Sequence, residues 1–216
     1  MPKDRKIGIS FTWDDNFNEH YKYVAPIFKE WGCRCTFYIN PGEENFTNFM
    51  ANQYKELSEQ GFEIGSHGFV HDHYSRLSYN DFYAQLIKSK NAITALTNKP
   101  PLTFAFPHHD FTNDMLAVAR SVYKETRNTL NNTVRFSLKT KTDLESVKTA
   151  LNNAINDSYN IVFSGHSVFK QQDEINNCGY EPISVKLLSS IISTIVNEYK
   201  LPILTFEELI CFTQIS

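Results

Sequence analysis

Short apolar runs rich in β-branched and aromatic residues alternate along this chain with segments whose apolar positions recur at helical spacing. Residues 6–12 read as a strand. Tyr21, Val24, Ile27, Phe28 and Trp31 then fall at helical intervals, with Gly32 as a stop signal. Residues 34–39 are strand-like, and Asn40-Pro41-Gly42 punctuates them. A helix over 47–60 ends at Gly61, and a short strand follows at 62–65. Ser78-Tyr79-Asn80-Asp81 opens a helix carrying Phe82, Leu86, Ile93 and Leu96 on one side, closed by Pro100-Pro101. Residues 102–106 form the next strand, and Asn113 is expected to cap a helix running to about Val122.

The stretch from Tyr123 to Lys139 is less patterned and holds one strand, at 133–138. A helix at 143–157, a strand at 161–164, a helix at 185–199 and a strand at 202–205 complete the chain. About seven strands alternating with helices predict parallel strands in an α/β fold, a barrel or an open sheet. No linker-like tract or internal repeat divides the 216 residues, so a single domain over 1–216 is expected.

Composition narrows the function classes. With 41% hydrophobic and 14% aromatic residues, a sizeable core is available and disorder is excluded. The net charge is −3 and the lysines and arginines are scattered, which argues against a nucleic-acid partner and against electrostatic attachment to a membrane surface. No apolar leader core follows MPKDRKIGIS, and the longest apolar segment, at 187–196, is interrupted by serines and a threonine; the expectation is a cytoplasmic protein. Cys33, Cys35, Cys178 and Cys211 match neither a disulfide framework nor zinc-site spacing, and are read as free thiols.

The chemistry gathers just after predicted strands. Asp14 and Asp15 end the first, in SFTWDDNF. Two adjacent carboxylates repel and are costly to desolvate unless a cation or hydrogen bonds compensate; the alternative is a solvated turn. His67 and His71 follow the third strand, Pro107, His108, His109 and Asp110 the fourth, and His166 the sixth. Carboxyl ends of parallel strands are where α/β folds collect ligands. Two histidines four apart can share one metal where the backbone between them is helical or turns tightly, and a carboxylate completes three protein ligands; His73 competes for that place, and two capping or exposed histidines are the plain alternative. His20 reads as a surface helix residue, His109 and Asp110 as loop polar groups, Trp13 and Trp31 as core, and Glu43-Glu44 and Glu207-Glu208 as solvated pairs.

This set closely resembles the polysaccharide deacetylase family, the NodB homology domain of carbohydrate esterase family 4. Thr12-Trp13-Asp14-Asp15 is similar to the first motif, T-F-D-D. Ser66-His67 through His71 is similar to the second, Ala105-Phe106-Pro107-His108 occupies the third, R-x-P-Y, and Ser164-Gly165-His166 fits the last, L-x-H. The resemblance implies a distorted (β/α) barrel. It further implies that Asp15, His67 and His71 hold a divalent metal, Zn²⁺ first, with Co²⁺, Ni²⁺ or Mn²⁺ as alternatives. Asp14 would be the general base, His166 the general acid, and the backbone N–H of His108 the oxyanion donor.

Four positions depart from the family pattern. Ala105 stands in place of the usual Arg, leaving Arg127 on another strand as the candidate to orient the base. His108 replaces Tyr, Gly165 an apolar residue, and Asn16 a glycine that tolerates positive φ. In addition, no counterpart of the Asp-Trp pair of the fourth motif is found. The implied activity is metal-dependent hydrolysis of an amide, removing N-acetyl groups from an amino sugar or oligosaccharide. Hydrolysis of a cyclic amide or ureide, and a silent carbohydrate-binding domain, are the alternatives.

Overall fold

The computed structural model describes residues 6–170 and 181–215, so Cys178 lies outside the described residues. Strands and helices alternate as the pattern predicts, and the fold class is α/β, a distorted (β/α) barrel type with about seven parallel strands. In chain order the elements are β1 (Ile9–Asp14), α1 (Ala25–Glu30), β2 (Thr36–Ile39), α2 (Asn48–Glu59), β3 (Glu63–Ser66), α3 (Tyr79–Thr97), β4 (Thr103–Phe104), α4 (Asn113–Val122), β5 (Glu125–Thr126), β6 (Thr133–Ser137), α5 (Leu144–Asp157), β7 (Asn160–Gly165), β8 (Val168–Phe169), β9 (Ile183–Ser184), α6 (Val185–Ser193), β10 (Ile203–Leu204) and α7 (Phe206–Ile215). A π-helical turn, His20–Val24, leads into α1, and another, Thr194–Tyr199, extends α6. No helix among the described residues is long and apolar enough to cross a membrane.

The chain divides into two compact units. One comprises Asp14–Asn16 and Phe37–Leu130. Its strands run in the order β5-β4-β3-β2, with parallel registers Ser66↔Phe104 and Phe104↔Thr126. Phe82 and Leu86 of α3 and Val118, Ala119 and Val122 of α4 pack with Phe104, Phe106 and Tyr123 into one core cluster. Phe104 stacks on Tyr123 with ring centroids 5.2 Å apart and meets Phe106 edge-on at 4.8 Å. Such aromatic pairs contribute beyond the area they bury.

The other unit is built from the chain before Asp14, Phe17–Thr36 and everything from Asn131 onward. Here β1 lies parallel to β7 and to β10, with β6 outside β7. Every residue of β1 and β7 is buried, the signature of parallel strands covered on both faces, whereas β6 keeps exposed positions as an edge strand should. Phe11 stacks on Phe163 at 4.9 Å and meets Phe28 edge-on. At the end of this pairing Trp13 lies opposite Gly165, where an added Cβ would come within 2.8 Å of the indole ring. Glycine stands at 165 because the tryptophan takes the space.

Local chemistry sets the helix starts. Thr47, Ser78, Thr112, Asp143 and Ser184 each accept a backbone N–H of the first turn they precede. Thr112, rather than Asn113, is therefore the cap of α4. The β5 strand in the unpatterned stretch, the β8–β9 pair and α7 go beyond the sequence pattern, since two-residue strands carry no periodicity. The start of α7 is nonetheless written in Thr205-Phe206-Glu207-Glu208. Thr205 Oγ1 accepts from Glu208 N at 3.2 Å, and Glu208 Oε2 accepts from Thr205 N at 2.8 Å, a capping box. Glu208 is thus a helix cap as well as a solvated residue. His20 departs from expectation more sharply: it is fully buried, because its ring sits against Trp13 and Phe17 and Nε2 donates to the His166 carbonyl at 2.6 Å.

Thr205→Ala is expected to lower stability by about 1 kcal/mol through loss of the cap oxygen. Urea unfolding checks this, and an unchanged midpoint would refute a capping role.

Candidate metal centre and active site

Asp14 is the last residue of β1, and Asp15 turns the chain into the left-handed region with φ 68°. The positive φ therefore falls on Asp15, one residue earlier than the expectation for Asn16. Aspartate and asparagine are the non-glycine residues that enter this region most readily. Asn16 instead works through its side chain, which donates to Asn40 O at 2.8 Å and accepts from Asn40 N at 3.0 Å, while Asn40 Nδ2 donates to His67 O at 2.6 Å. The two asparagines tie the Asp14-Asp15 turn to the segment that begins with His67.

His67 follows β3 and is buried, with its backbone N–H donating to Ile39 O at 2.9 Å. Its Nδ1 lies 2.8 Å from Ala105 O and must donate there, which leaves the lone pair on Nε2. Gly68, at φ 90°, then reverses the chain beside the Tyr74 hydroxyl, which donates to Val70 O at 2.7 Å. That tight turn, rather than a helix, brings His71 back. The backbone N–H of His71 donates to the carboxylate of Glu43, so Glu43 is a structural partner and not merely a solvated charge.

Asp15 Oδ1 lies 3.7 Å from His67 Nε2 and 3.4 Å from His71 Nε2, and all three donor atoms fall within 4.8 Å of one another. Two donors each about 2.0–2.1 Å from a single tetrahedral ion are about 3.3 Å apart, so the two Asp15–imidazole separations are close to those of ligands sharing one zinc-sized cation. Burial pushes the His67 pKa down to about 3, against the pull of Asp14, and burial likewise lowers His71. Both imidazoles are neutral at pH 7, the form that ligates metal. Among the described residues no other group of three such side chains gathers this closely. His73 is not a member: its Nδ1 donates to Asp110 at 3.3 Å.

Beside this set lies a buried ion pair. Arg127, just past β5, donates through Nη1 to Asp14 Oδ1 and through Nη2 to Asp14 Oδ2 at 2.7 Å. Its guanidinium carbon stands 5.1 Å from the centroid of the buried Tyr38 ring. Burial alone would weaken the charge on Arg127, but Asp14 outweighs it and the pKa rises. Arg127, anticipated as the partner of Asp14 from another strand, makes that contact. Ala105 is fully buried and its carbonyl is occupied by His67.

His108 sits in the turn Pro107–His109 with φ 53°. Its ring meets His71 edge-on at 4.3 Å, and among the described residues its backbone N–H enters no hydrogen bond. His109 and Asp110 are loop residues, as expected, bonded to Asn128 and to His73 and Ser75 respectively. His166 belongs to the other unit, directly after the register pair Trp13↔Gly165. Trp13 is core, fully buried. Trp31, expected in the core, is only partly buried and lines an open cavity with Leu144 and Val185. Cys33, Cys35 and Cys211 are thiols rather than half-cystines.

A model of the family described as polysaccharide deacetylase matches residues 2–125, more than half of the chain. The chain belongs to the polysaccharide deacetylase family. It is 26% identical over 111 residues to the protein YlxY of Bacillus subtilis (strain 168), a match covering 51% of this chain and 33% of that protein, so the chain spans about a third of that relative's length. Among solved structures, the Xyl-CE4 domain of a multidomain xylanase from the hindgut metagenome of Trinervitermes trinervoides shares the fold with a TM-score of 0.67 at 18% identity, covering 97% of this chain and 92% of that one. BA3943, a CE4 family pseudoenzyme from Bacillus anthracis, does so with a TM-score of 0.66 at 18% identity, covering 95% and 66%.

Arg127→Met is expected to destabilise the fold by about 3–5 kcal/mol, because it strands the Asp14 carboxylate in a buried site. Asp14→Asn in the same background should recover part of that loss. Urea unfolding of the two variants decides it, and equal midpoints for Arg127→Met and the unaltered chain would rule out a structural contribution from the pair.

Proposed function

We propose that this chain is a metal-dependent amide hydrolase that removes N-acetyl groups from an amino sugar or oligosaccharide. The observation that carries the reading is the Asp15–His67–His71 donor set standing beside a second aspartate held bidentately by a buried arginine. In this reading Asp15, His67 and His71 hold the ion. A divalent cation there, Zn²⁺ above all, would lower the pKa of water and polarise the amide carbonyl.

The division between the two aspartates follows from their partners. Asp15 faces two neutral imidazoles and is placed to serve a cation, whereas Asp14 is aimed by the two hydrogen bonds from Arg127. Asp14 then takes a proton from water as the oxygen attacks the acetyl carbon. The unspent backbone N–H of His108 donates to the oxyanion of the tetrahedral intermediate. When the C–N bond breaks, His166 gives its proton to the departing amine, a role supported by its place at the carboxyl end of β7.

A catalytically silent carbohydrate-binding domain is the weaker reading. Binding alone needs neither a charge-held aspartate nor a metal donor set, and both are intact here.

Three variants separate these roles. Asp15→Asn is expected to weaken zinc binding at least tenfold, because an amide oxygen is a poorer ligand than a carboxylate. Asp14→Asn should retain zinc and lose about 10²–10⁴-fold in rate, and His166→Ala should do the same. Zinc content by elemental analysis, read beside acetate release from N-acetylglucosamine oligomers, tests all three. Full turnover in Asp14→Asn would end the base assignment. Ring opening of cyclic amides without acetate release would replace the sugar substrate.

A further inference from the structure

One carboxylate joins two turns around His108. Asp110 Oδ2 accepts from the Ser75 hydroxyl, in the turn Tyr74–Arg76, and from His73 Nδ1 at 3.3 Å. The Asp110 backbone N–H donates to Pro107 O at 3.0 Å, closing the turn Pro107–His109. The His73 ring in turn stacks on that of His108, with centroids 3.9 Å apart and planes within 11°. From the other side, Asn128 Oδ1 accepts from Phe106 N at 3.4 Å and Asn128 Nδ2 donates to His109.

These ties hold an unfavourable backbone. His108 and His109 are consecutive non-glycine residues at positive φ, 53° and 56°. Residues in that region persist only where surrounding structure fixes them, and they concentrate at functional sites. The left-handed step at His108 also governs where its own N–H lies. An oxyanion donor is useful only if preorganised within a few tenths of an ångström of where the charge develops. A turn free to relax toward ordinary φ would lose that alignment without disturbing the donor set for the metal.

We propose that Asp110 is a positioning residue: through Ser75 and His73 it clamps the 107–110 turn and so holds the backbone N–H of His108 at the oxyanion position. The proposal rests on the hydrolase reading above for its catalytic consequence, and on the two hydrogen bonds and the ring stack for its geometry. Because the oxyanion develops only after attack and is absent from the bound substrate, loosening the clamp lowers kcat and leaves KM alone. Asparagine at 110 keeps an acceptor oxygen for both donors; alanine keeps none.

The test uses zinc-loaded protein with N-acetylglucosamine oligomers, and metal-free protein for deuterium uptake over residues 106–110. Asp110→Ala should lower kcat about 10–100-fold, below the full loss of an oxyanion donor, with KM within about twofold and zinc content unchanged. It should also speed uptake in the 106–110 segment. Asp110→Asn should stay within about threefold of the unaltered enzyme, and Ser75→Ala should fall between, serving as the probe if Asp110→Ala folds poorly. Equal losses in Asp110→Asn and Asp110→Ala, or unchanged kcat and uptake in Asp110→Ala, overturn the clamp while leaving the hydrolase reading in place. If the unaltered protein releases no acetate, that reading fails instead, and the uptake comparison alone decides whether Asp110 holds the turn.

Discussion

A guanidinium and a carboxylate buried face to face constrain everything around them. Removing two charges from water costs several kcal/mol per ion, and only close bidentate geometry with further polar partners offsets it. Arg127 and Asp14 meet that demand with two parallel hydrogen bonds over the face of Tyr38. Glu63 is buried and accepts from the Thr103 hydroxyl, and Tyr38, already raised in pKa by its own burial, feels Glu63, Arg127 and Asp14 together.

The loops are built to keep this arrangement from spreading. Asn16 and Asn40 lock the two-aspartate turn to the His67 backbone, Gly68 and Tyr74 set the reversal that returns His71, and Glu43 takes the His71 N–H. None of these residues need touch a substrate. They fix side chains whose desolvation is already costly.

Much of this is legible in the chain alone. Asp14, Asp15, His67 and His71 are readable because each sits where an apolar run stops, and strand ends need no knowledge of tertiary structure to locate. Arg127 is harder: it lies in a stretch without periodicity, after a strand of two residues, and only the arginine missing at Ala105 directs attention to it. His20 defeats a sequence reading because helical spacing marks faces, not depth, and a π-helical turn shifts which face is inward. The role of Asn16 is hidden for another reason. Its partner, Asn40, is 24 residues away, and a side-chain-to-backbone lock across that separation leaves no local trace.

The position of Arg127 carries a consequence for how such a chain can change length. It is held by β5, whose two residues pair with β4 at Thr103↔Glu125 and Phe104↔Thr126, and by its own N–H donating to Phe104 O at 2.9 Å. Side chains alternate faces along a strand, so a one-residue slip turns each of them to the opposite side. Insertion or deletion of a single residue between α4 and β5 would therefore swing the guanidinium away from Asp14, although no site residue had been altered. A relative with its arginine on β4 would be indifferent to the same change. In this chain the two-residue connection after α4, with Tyr123 buried in the core and Lys124 exposed, has lost its freedom to vary in length.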